Sequence, residues 1–378
     1  MDNVRKKKVL IVVTPLSVGG GLFRRLKLWT KYLSRDYEIE VMCYAPHENS
    51  TKVLEKKGVK IHREQNLNHI GRYTVLPGTL AIYRKIASYS PDIVISMFLW
   101  ADFLTACAVS LRKMLRKKPI PHIVHIAGSP RPVANRVLRM IDRTIAIRGF
   151  STPEKIITLC QHDAHMVSLN YFVKKDRIAI VPIGIEFFPF TQKEKLHSPF
   201  TFGVVSRLVP VKNIETIIRV FHEILKDEDN AVRLEIFGDG NYRETLEAIV
   251  NDRGLSAYIT FRGWVQDPRS AFDAIDCLLS FSHSEGTPRS ILEAGERGVP
   301  TIAREVGGVG ELIKDGETGY IVSSEQELKE KMLSMLHAKE EDVLNMGVAA
   351  RQFMQEYHSI ESEIHGLKNL IEELTVGY

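Results

Sequence analysis

The sequence predicts an α/β protein built from two doubly wound parallel sheets. Three observations carry that expectation. Short β-branched runs alternate with helical segments along the chain, the pattern of parallel strands joined by crossover helices. The first run, residues 9–13, ends in a glycine turn and a helix, and a second series of the same kind begins at residue 201. Between the two series the polar stretch 191–199 reads as a linker.

In chain order, residues 9–13 form a buried strand and residues 22–33 a helix, joined by TPLSVGGG, which ends in Gly20 and Gly21. The turn is not GxGxxG and no Lys-Ser/Thr follows it, so dinucleotide or ATP binding has little support. Its glycines allow a backbone to approach a ligand closely, and they serve a tight turn at positive φ equally well. Further strands are expected over 38–43, 59–61, 92–96, 123–126, 156–159 and 178–181. Residues 93–111 are nearly all apolar, but Asp102 interrupts them and Ser96 and Thr105 add polarity. A strand running into a packed helix over 101–117 explains them better than a membrane span. His125 stands near the end of the strand in HIVHIAGSP, on the same face as Ala127. The following helix sets Arg136, Arg139 and Arg143 on one face, a stripe that usually marks a solvated surface.

The second series opens with a strand over 201–206 that feeds SRLVPVKN. Arg207 offers a planar fork and Lys212 a mobile point charge, and in one loop at a strand's carboxyl end both reach the same diphosphate. The next helix turns Ile214, Ile217, Ile218, Phe221 and Leu225 inward. Strands over 232–237 and 259–262 lead into turns at Gly238 and Gly263. Residues 281–319 then give a strand ending near Ser282, a polar turn, Pro288 at the first helical position, and Ile291, Leu292 and Gly295 on one side of a helix that Gly298 stops. The free N–H groups of such a helix start attract anions. Glu285 and Glu293 bracket it, on the order of 10 Å apart at the helical rise. That separation suits the span from sugar to ribose of a nucleoside-diphosphate sugar, although two solvated surface glutamates would look the same. A strand over 320–322 and helices over 326–336, 340–356 and 360–374 close the chain, the last with Ile360, Ile364, Leu367, Leu370 and Ile371 on one face.

Composition narrows the function classes. The chain has 378 residues, 44% hydrophobic and 26% charged, ordinary for a globular protein of more than one domain. Cys43, Cys107, Cys160 and Cys277 stand alone, so reduced buried thiols and a cytoplasmic setting are expected, and no His/Cys cluster offers a metal site. The apolar run after Lys6-Lys7-Lys8 has the length of a strand rather than of a signal-peptide core, so no signal peptide is expected. Residues 1–190 carry 31 Lys+Arg against 14 Asp+Glu, whereas residues 191–378 carry 20 against 32. A first half at +17 suits an anionic partner, and with no nucleic-acid module or aromatic-interleaved basic strip a membrane surface fits better than nucleic acid.

Several of these pieces share one order and spacing: Glu285-Gly286-x-Pro288, Glu293 eight residues after Glu285, Gly307-Gly308-x-x-Glu311, Asp315-Gly316-x-Thr318-Gly319, and Arg207 with Lys212 upstream. Together they resemble glycosyltransferase family 4, the retaining nucleotide-sugar transferases of the GT-B fold. The resemblance implies two Rossmann-like domains facing across a cleft: an acceptor-side domain over 1–190, a nucleotide-sugar domain over 200–355, and a C-terminal helix over 356–378 crossing back to the first. It implies a UDP or GDP sugar donor, no metal or other cofactor, and a glycan acceptor, lipid-linked or of the cell envelope, reached from the inner face of the cell membrane. Glu285, Arg207 and Lys212 are then the catalytic set, and Gly286, Thr287, Glu293, Gly238 and Gly263 complete the donor site. Gly20, Gly21 and His125 would border the cleft from the first domain. Ser206 replaces the family's glycine, Ile183 and Glu186 depart from its Pro-Asn-Gly-Ile-Asp string, and Ala127 stands where a histidine is common. Alternatives are a GT-B epimerase, hydrolase or phosphorylase, and a protein that binds nucleotide sugars without catalysis.

Overall fold

The structure is a computed structural model that describes residues 5–13, 21–44, 48–56, 58–64, 75–126, 136–226, 228 and 232–376. The chain divides into two compact units, Met1–Pro182 with Ile360–Tyr378, and Ile183–Ser359.

The first unit holds a seven-stranded, wholly parallel sheet. Its strands are β1 (Lys8–Val13), β2 (Glu38–Tyr44), β3 (Lys60–Glu64), β4 (Ile93–Met97), β5 (His122–His125), β6 (Lys155–Thr158) and β7 (Ile178–Ile180), in the order β3-β2-β1-β4-β5-β6-β7. Parallel neighbours need crossovers, supplied by helices α1 (Gly21–Leu33), α2 (Glu48–Glu55), α3 (Val75–Tyr89), α4 (Leu99–Met114), α5 (Arg136–Ser151) and α6 (Gln161–Tyr171). The sequence reading gave no helix for α2 or α3. In α3 the Pro77-Gly78 pair looks like a turn, yet it falls in the first helical turn, where a missing N–H costs nothing, and Ile82 and Ile86 bury its face. Residues 93–111 are β4 and α4, and among the described residues no helix is long and apolar enough to cross a membrane.

The second unit carries a six-stranded parallel sheet, β8 (Phe200–Val205), β9 (Val232–Phe237), β10 (Ile259–Gly263), β11 (Cys277–Ser280), β12 (Thr301–Arg304) and β13 (Gly319–Val322), ordered β10-β9-β8-β11-β12-β13. Helices α7 (Ile214–Leu225), α8 (Arg243–Asp252), α9 (Arg269–Asp273), α10 (Arg289–Glu296), α11 (Glu325–His337) and α12 (Glu340–Tyr357) surround it. One core joins α7 and α11 to one sheet face through Ile217, Phe221, Leu328 and Met332, and another joins α10 and α12 to the opposite face through Leu292, Ala294 and Met354. The stretch expected as a linker, 191–199, lies inside this unit. The buried carboxylate of Asp276 explains why: it accepts from the backbone N–H groups of His197 (3.1 Å) and Thr201 (2.8 Å) and from Lys193 Nζ (3.1 Å). Just upstream, Arg269 stacks on Phe188 and Arg351 on Phe190.

After α12 the chain returns to the first unit as α13 (Ile360–Thr375), whose Ile360, Ile364, Leu367 and Ile371 join Leu26, Trp29 and Leu33 of α1 in one core. A buried charge fastens that contact. Glu363 Oε1 accepts from Trp29 Nε1 at 2.8 Å and lies 3.3 Å from Arg25 Nε, with both ionic side chains under 5% exposed. Arg25 belongs to the strongly basic first half of the sequence, and its charge is answered here, inside the fold. Glu363→Ala would leave the Arg25 guanidinium buried without its carboxylate, so a loss of about 3–5 kcal/mol is expected in urea unfolding followed by tryptophan fluorescence. A loss below about 1 kcal/mol, the size of an exposed pair, would remove this pair from the account.

Candidate functional site

In the second unit the order of winding reverses between β8 and β11. From β8 the chain moves outward to β9 and β10, then returns to β11 on the other side of β8. At such a reversal the two following loops run to opposite faces and leave a crevice at the strands' carboxyl ends. The register widens it. β8 pairs with β9 along its whole length, from Phe200↔Val232 to Val205↔Phe237, but with β11 only at Cys277↔Phe202 and Leu278↔Gly203. Beyond those pairs the strands part around a small pocket, its lining apolar at Val204, Val205, Ile217, Leu279 and Phe281 and polar at Ser206, Lys212, Ser280, Ser282 and Ser290.

The loop after β8 carries Arg207 and Lys212. A 3-10 turn over Pro210–Lys212 and the left-handed Asn213 (φ 53°) deliver the chain into α7. The loop after β11 carries Glu285, and the two loops are stitched by His283 N–H donating to the Val211 carbonyl at 2.8 Å. Across this seam Lys212 Nζ meets Glu285 Oε1 at 2.5 Å, with the side chains 18% and 12% exposed. Ser282 Oγ donates to the same carboxylate oxygen at 2.7 Å. Arg207 is exposed, and among the described residues it forms no ion pair. Of the two loop cations, Lys212 is therefore spent on Glu285 and Arg207 is open to solvent.

Pro288 stands one position before the helix expected to begin with it: it is the extended N-cap residue (ψ 117°), and α10 starts at Arg289. Gly298, at φ +64°, ends the helix as foreseen. Glu293 lies one turn into α10 and takes a 3.4 Å contact from Arg289 Nη2. The Thr287 hydroxyl is buried and has no hydrogen-bond partner among the described residues. Beneath Glu285 runs the loop after β12: Gly308 N–H donates to the Gly286 carbonyl at 2.8 Å, and Gly307 sits at φ +57°. A Cβ on Gly307 would fall 1.9 Å from the Glu285 carbonyl oxygen, so only glycine lets this loop lie so close. Gly238, after β9, is held in the same way against the Ser206 carbonyl and donates to the Gly263 carbonyl at 2.7 Å. The structure thus brings Arg207, Lys212, Glu285, Gly286, Thr287 and Glu293 to the loops and helix start beside one crevice, with Gly238 and Gly263 bracing the loops on its β9 side.

The three first-unit residues fare differently. Gly20 lies outside the described residues, and Gly21 opens α1 with free space about its Cβ position. His125 ends β5 buried, its ring edge-on to Trp29 at 5.0 Å. Burial, with the Arg25 guanidinium beside it, pushes the imidazole well below its usual pKa. Neutral Nε2 then accepts from Arg25 Nη1 at 2.6 Å. Ala127 and Gly128 lie outside the described residues, as do the side chains of Arg136 and Arg139. Sequence reasoning missed the parts played by Ser282 and Arg289; a hydroxyl three residues before Glu285 and a cation four residues before Glu293 were the available signals.

Comparison with known proteins follows this division. Residues 19–187 match the family model described as Glycosyltransferase Family 4, and residues 188–353 the model described as Glycosyl transferases group 1. An uncharacterized glycosyltransferase of Methanocaldococcus jannaschii is 26% identical over 372 residues, 94% of this chain and 95% of its own length. The poly(ribitol-phosphate) α-N-acetylglucosaminyltransferase of Staphylococcus aureus is 28% identical over 173 residues, 44% of this chain but only 34% of that enzyme. Among solved structures, the Anabaena HepE protein in complex with UDP superposes with a TM-score of 0.79 at 17% identity, covering 97% of this chain and 100% of that one.

Gly307→Ala must displace the Glu285–Gly286 backbone or leave its own strained conformation, so a loss of about 1–3 kcal/mol is expected. Gly310→Ala, three residues on with nothing within 4 Å of the added atom, should change stability little. Denaturant midpoints decide it, and equal values for the two variants would contradict the close approach.

Proposed function

Starting from the fact that the chain belongs to the family 4 glycosyltransferases, we propose that it moves a sugar from a nucleoside-diphosphate donor to a glycan acceptor with retention of configuration. The observation that carries this reading is the set of loops beside one crevice at the β8/β11 reversal, with two cations, two carboxylates and a helix start. Arg207 and Lys212 hold the diphosphate and offset the charge that grows on it as the sugar C1–O bond breaks. The acceptor oxygen bonds to C1 on the same face and passes its proton to the departing phosphate oxygen, so no carboxylate base is assigned. Glu285 accepts from the transferred sugar, Glu293 from the ribose hydroxyls, and the Gly286–Thr287 segment lies beside sugar and phosphate. With two cations supplied by the protein, no metal is assigned. UDP is the first nucleotide to try, because the HepE complex holds it, and poly(ribitol-phosphate) is the first acceptor to try, because the Staphylococcus relative's name carries it.

Release of nucleoside diphosphate from labelled sugar donors in EDTA tests the reaction; binding without release would favour a non-catalytic nucleotide-sugar-binding protein. The site residues should fail in distinct ways. Lys212→Ala is expected to weaken nucleoside-diphosphate binding by about 1.5–3 kcal/mol, as for charge-assisted hydrogen bonds. Glu293→Ala should weaken both the bare nucleotide and the sugar nucleotide, while Glu285→Ala spares the bare nucleotide and lowers turnover. Calorimetry showing unchanged affinity in Lys212→Ala, or equal losses for the two glutamates, would contradict these roles.

We further propose that the first unit docks on an anionic membrane through the end of α4. Met114 and Leu115 are 73% and 48% exposed, set between Lys113 and Arg116, Lys117 and Lys118, none of which pairs with a described acid. Each cation near an anionic leaflet is worth about 1 kcal/mol and weakens with salt. Charge reversal at these four positions should abolish co-sedimentation with anionic liposomes at low salt; intact sedimentation would clear this segment.

A further inference from the structure

The geometry points to Ser282 as a positioning residue for Glu285, one that pins one carboxylate oxygen and leaves the other turned to the substrate. The inference rests on the reading that Glu285 meets the transferred sugar.

Ser282 lies two residues past the end of β11 and is 2% exposed. Its hydroxyl donates to Glu285 Oε1 at 2.7 Å, and Lys212 Nζ reaches that same oxygen at 2.5 Å. Among the described residues no hydrogen bond reaches Oε2, and the side chain keeps a solvent-facing edge. A glutamate on a loop has free χ angles, and fixing them costs rotamer entropy that some contact must offset. Two donors converging on one oxygen set the plane of the carboxylate. The backbone holds both ends of the segment: His283 N–H on the Val211 carbonyl, and the Gly286 carbonyl on Gly308 N–H. The remaining freedom of Glu285 is its own side chain, and Ser282 removes it.

The two donors are not equivalent. Lys212 is the diphosphate ligand in the reading above, so a bound donor draws its ammonium toward phosphate. Ser282 is neutral, buried and attached to the end of a sheet strand. It stays on Oε1 when Lys212 leaves, and it does so without neutralising the carboxylate. Orientation would then persist through the step in which charge develops, where geometry governs rate more than binding does.

The test is a double-mutant cycle on the full chain, with kcat, donor KM and bare UDP affinity measured for wild type, Ser282→Ala, Glu285→Gln and the pair. Ser282→Ala is expected to lower kcat by about tenfold, as for a catalytic group that loses its alignment. Donor KM and UDP affinity should stay within about twofold, which also reports an intact fold. In the Glu285→Gln background the same change should cost less than about twofold, because no carboxylate remains to be aimed. A kcat within about twofold of wild type in Ser282→Ala, or losses that multiply in the pair, would overturn the positioning role. Wild-type turnover in Glu285→Gln would instead overturn the sugar-contact reading, and the inference with it.

Discussion

The reversal of strand order at β8 and β11 is the constraint on which the site depends. A parallel sheet forces each connection across one face, and only at the reversal do neighbouring strands send their loops to opposite sides. The short β8–β11 pairing, two residues against six between β8 and β9, makes the strands part early. Gly203 sits at the last paired position, where a Cβ would fall 2.5 Å from the Ile275 side chain. The sheet thus closes tightly just below the point where it opens.

Electrostatics at that opening are arranged as an exchange. A carboxylate left alone in a partly desolvated crevice is unfavourable, and Lys212 answers it at 2.5 Å while Arg207 remains in solvent. In the proposed reaction a nucleoside diphosphate would bring negative charge that competes for Lys212 and would be met by Arg207 at no cost in broken ion pairs. On that reading the incoming ligand would displace one contact, and the Ser282 hydroxyl, 2.7 Å from the same carboxylate oxygen, would remain on Glu285 when it goes. The neighbouring glycines serve the same economy of motion: Gly307 and Gly238 let backbone lie against backbone, so the loops that carry the charges rest on rigid neighbours.

Much of this was legible in the sequence, for reasons visible in particular residues. The β/α alternation is written locally in Val, Ile and Leu runs, and the order Arg207, Lys212, Glu285, Glu293 is fixed by loops that follow strands directly. What the sequence did not disclose was pairing over distance. Lys212 and Glu285 stand 73 residues apart and are read as touching different parts of one ligand, and nothing local says that they meet each other. Nothing local marks Arg25 as buried, because Glu363, its partner, arrives from the far end of the chain. His125 likewise reads as a strand-end histidine, and only the three-dimensional neighbourhood of Arg25 and Trp29 shows it buried and neutral. The 191–199 stretch is polar, as linkers are, but Asp276 gathers its backbone into the second unit.

The charge asymmetry changes meaning in the same way. Cutting the sequence in two assigns α13 to the acidic half, yet the helix packs on the basic unit and brings its glutamates there. Glu363 answers Arg25, Glu372 pairs with Lys7, and Glu373 lies 3.2 Å from Lys155. Other cations are met nearer home: Glu40, nearly buried, gathers Lys60, Lys85 and His62, and despite its burial their hydrogen bonds hold its carboxyl down at about 2. Part of the positive charge is thus answered inside the fold, although the unit that includes α13 keeps a large positive excess. The cations around Met114 and Leu115 are unspent, and they adjoin the apolar side chains that water least favours at a surface. Charge and exposed apolar area coincide there, and that local coincidence, more than the net +17, is what an anionic leaflet would recognise.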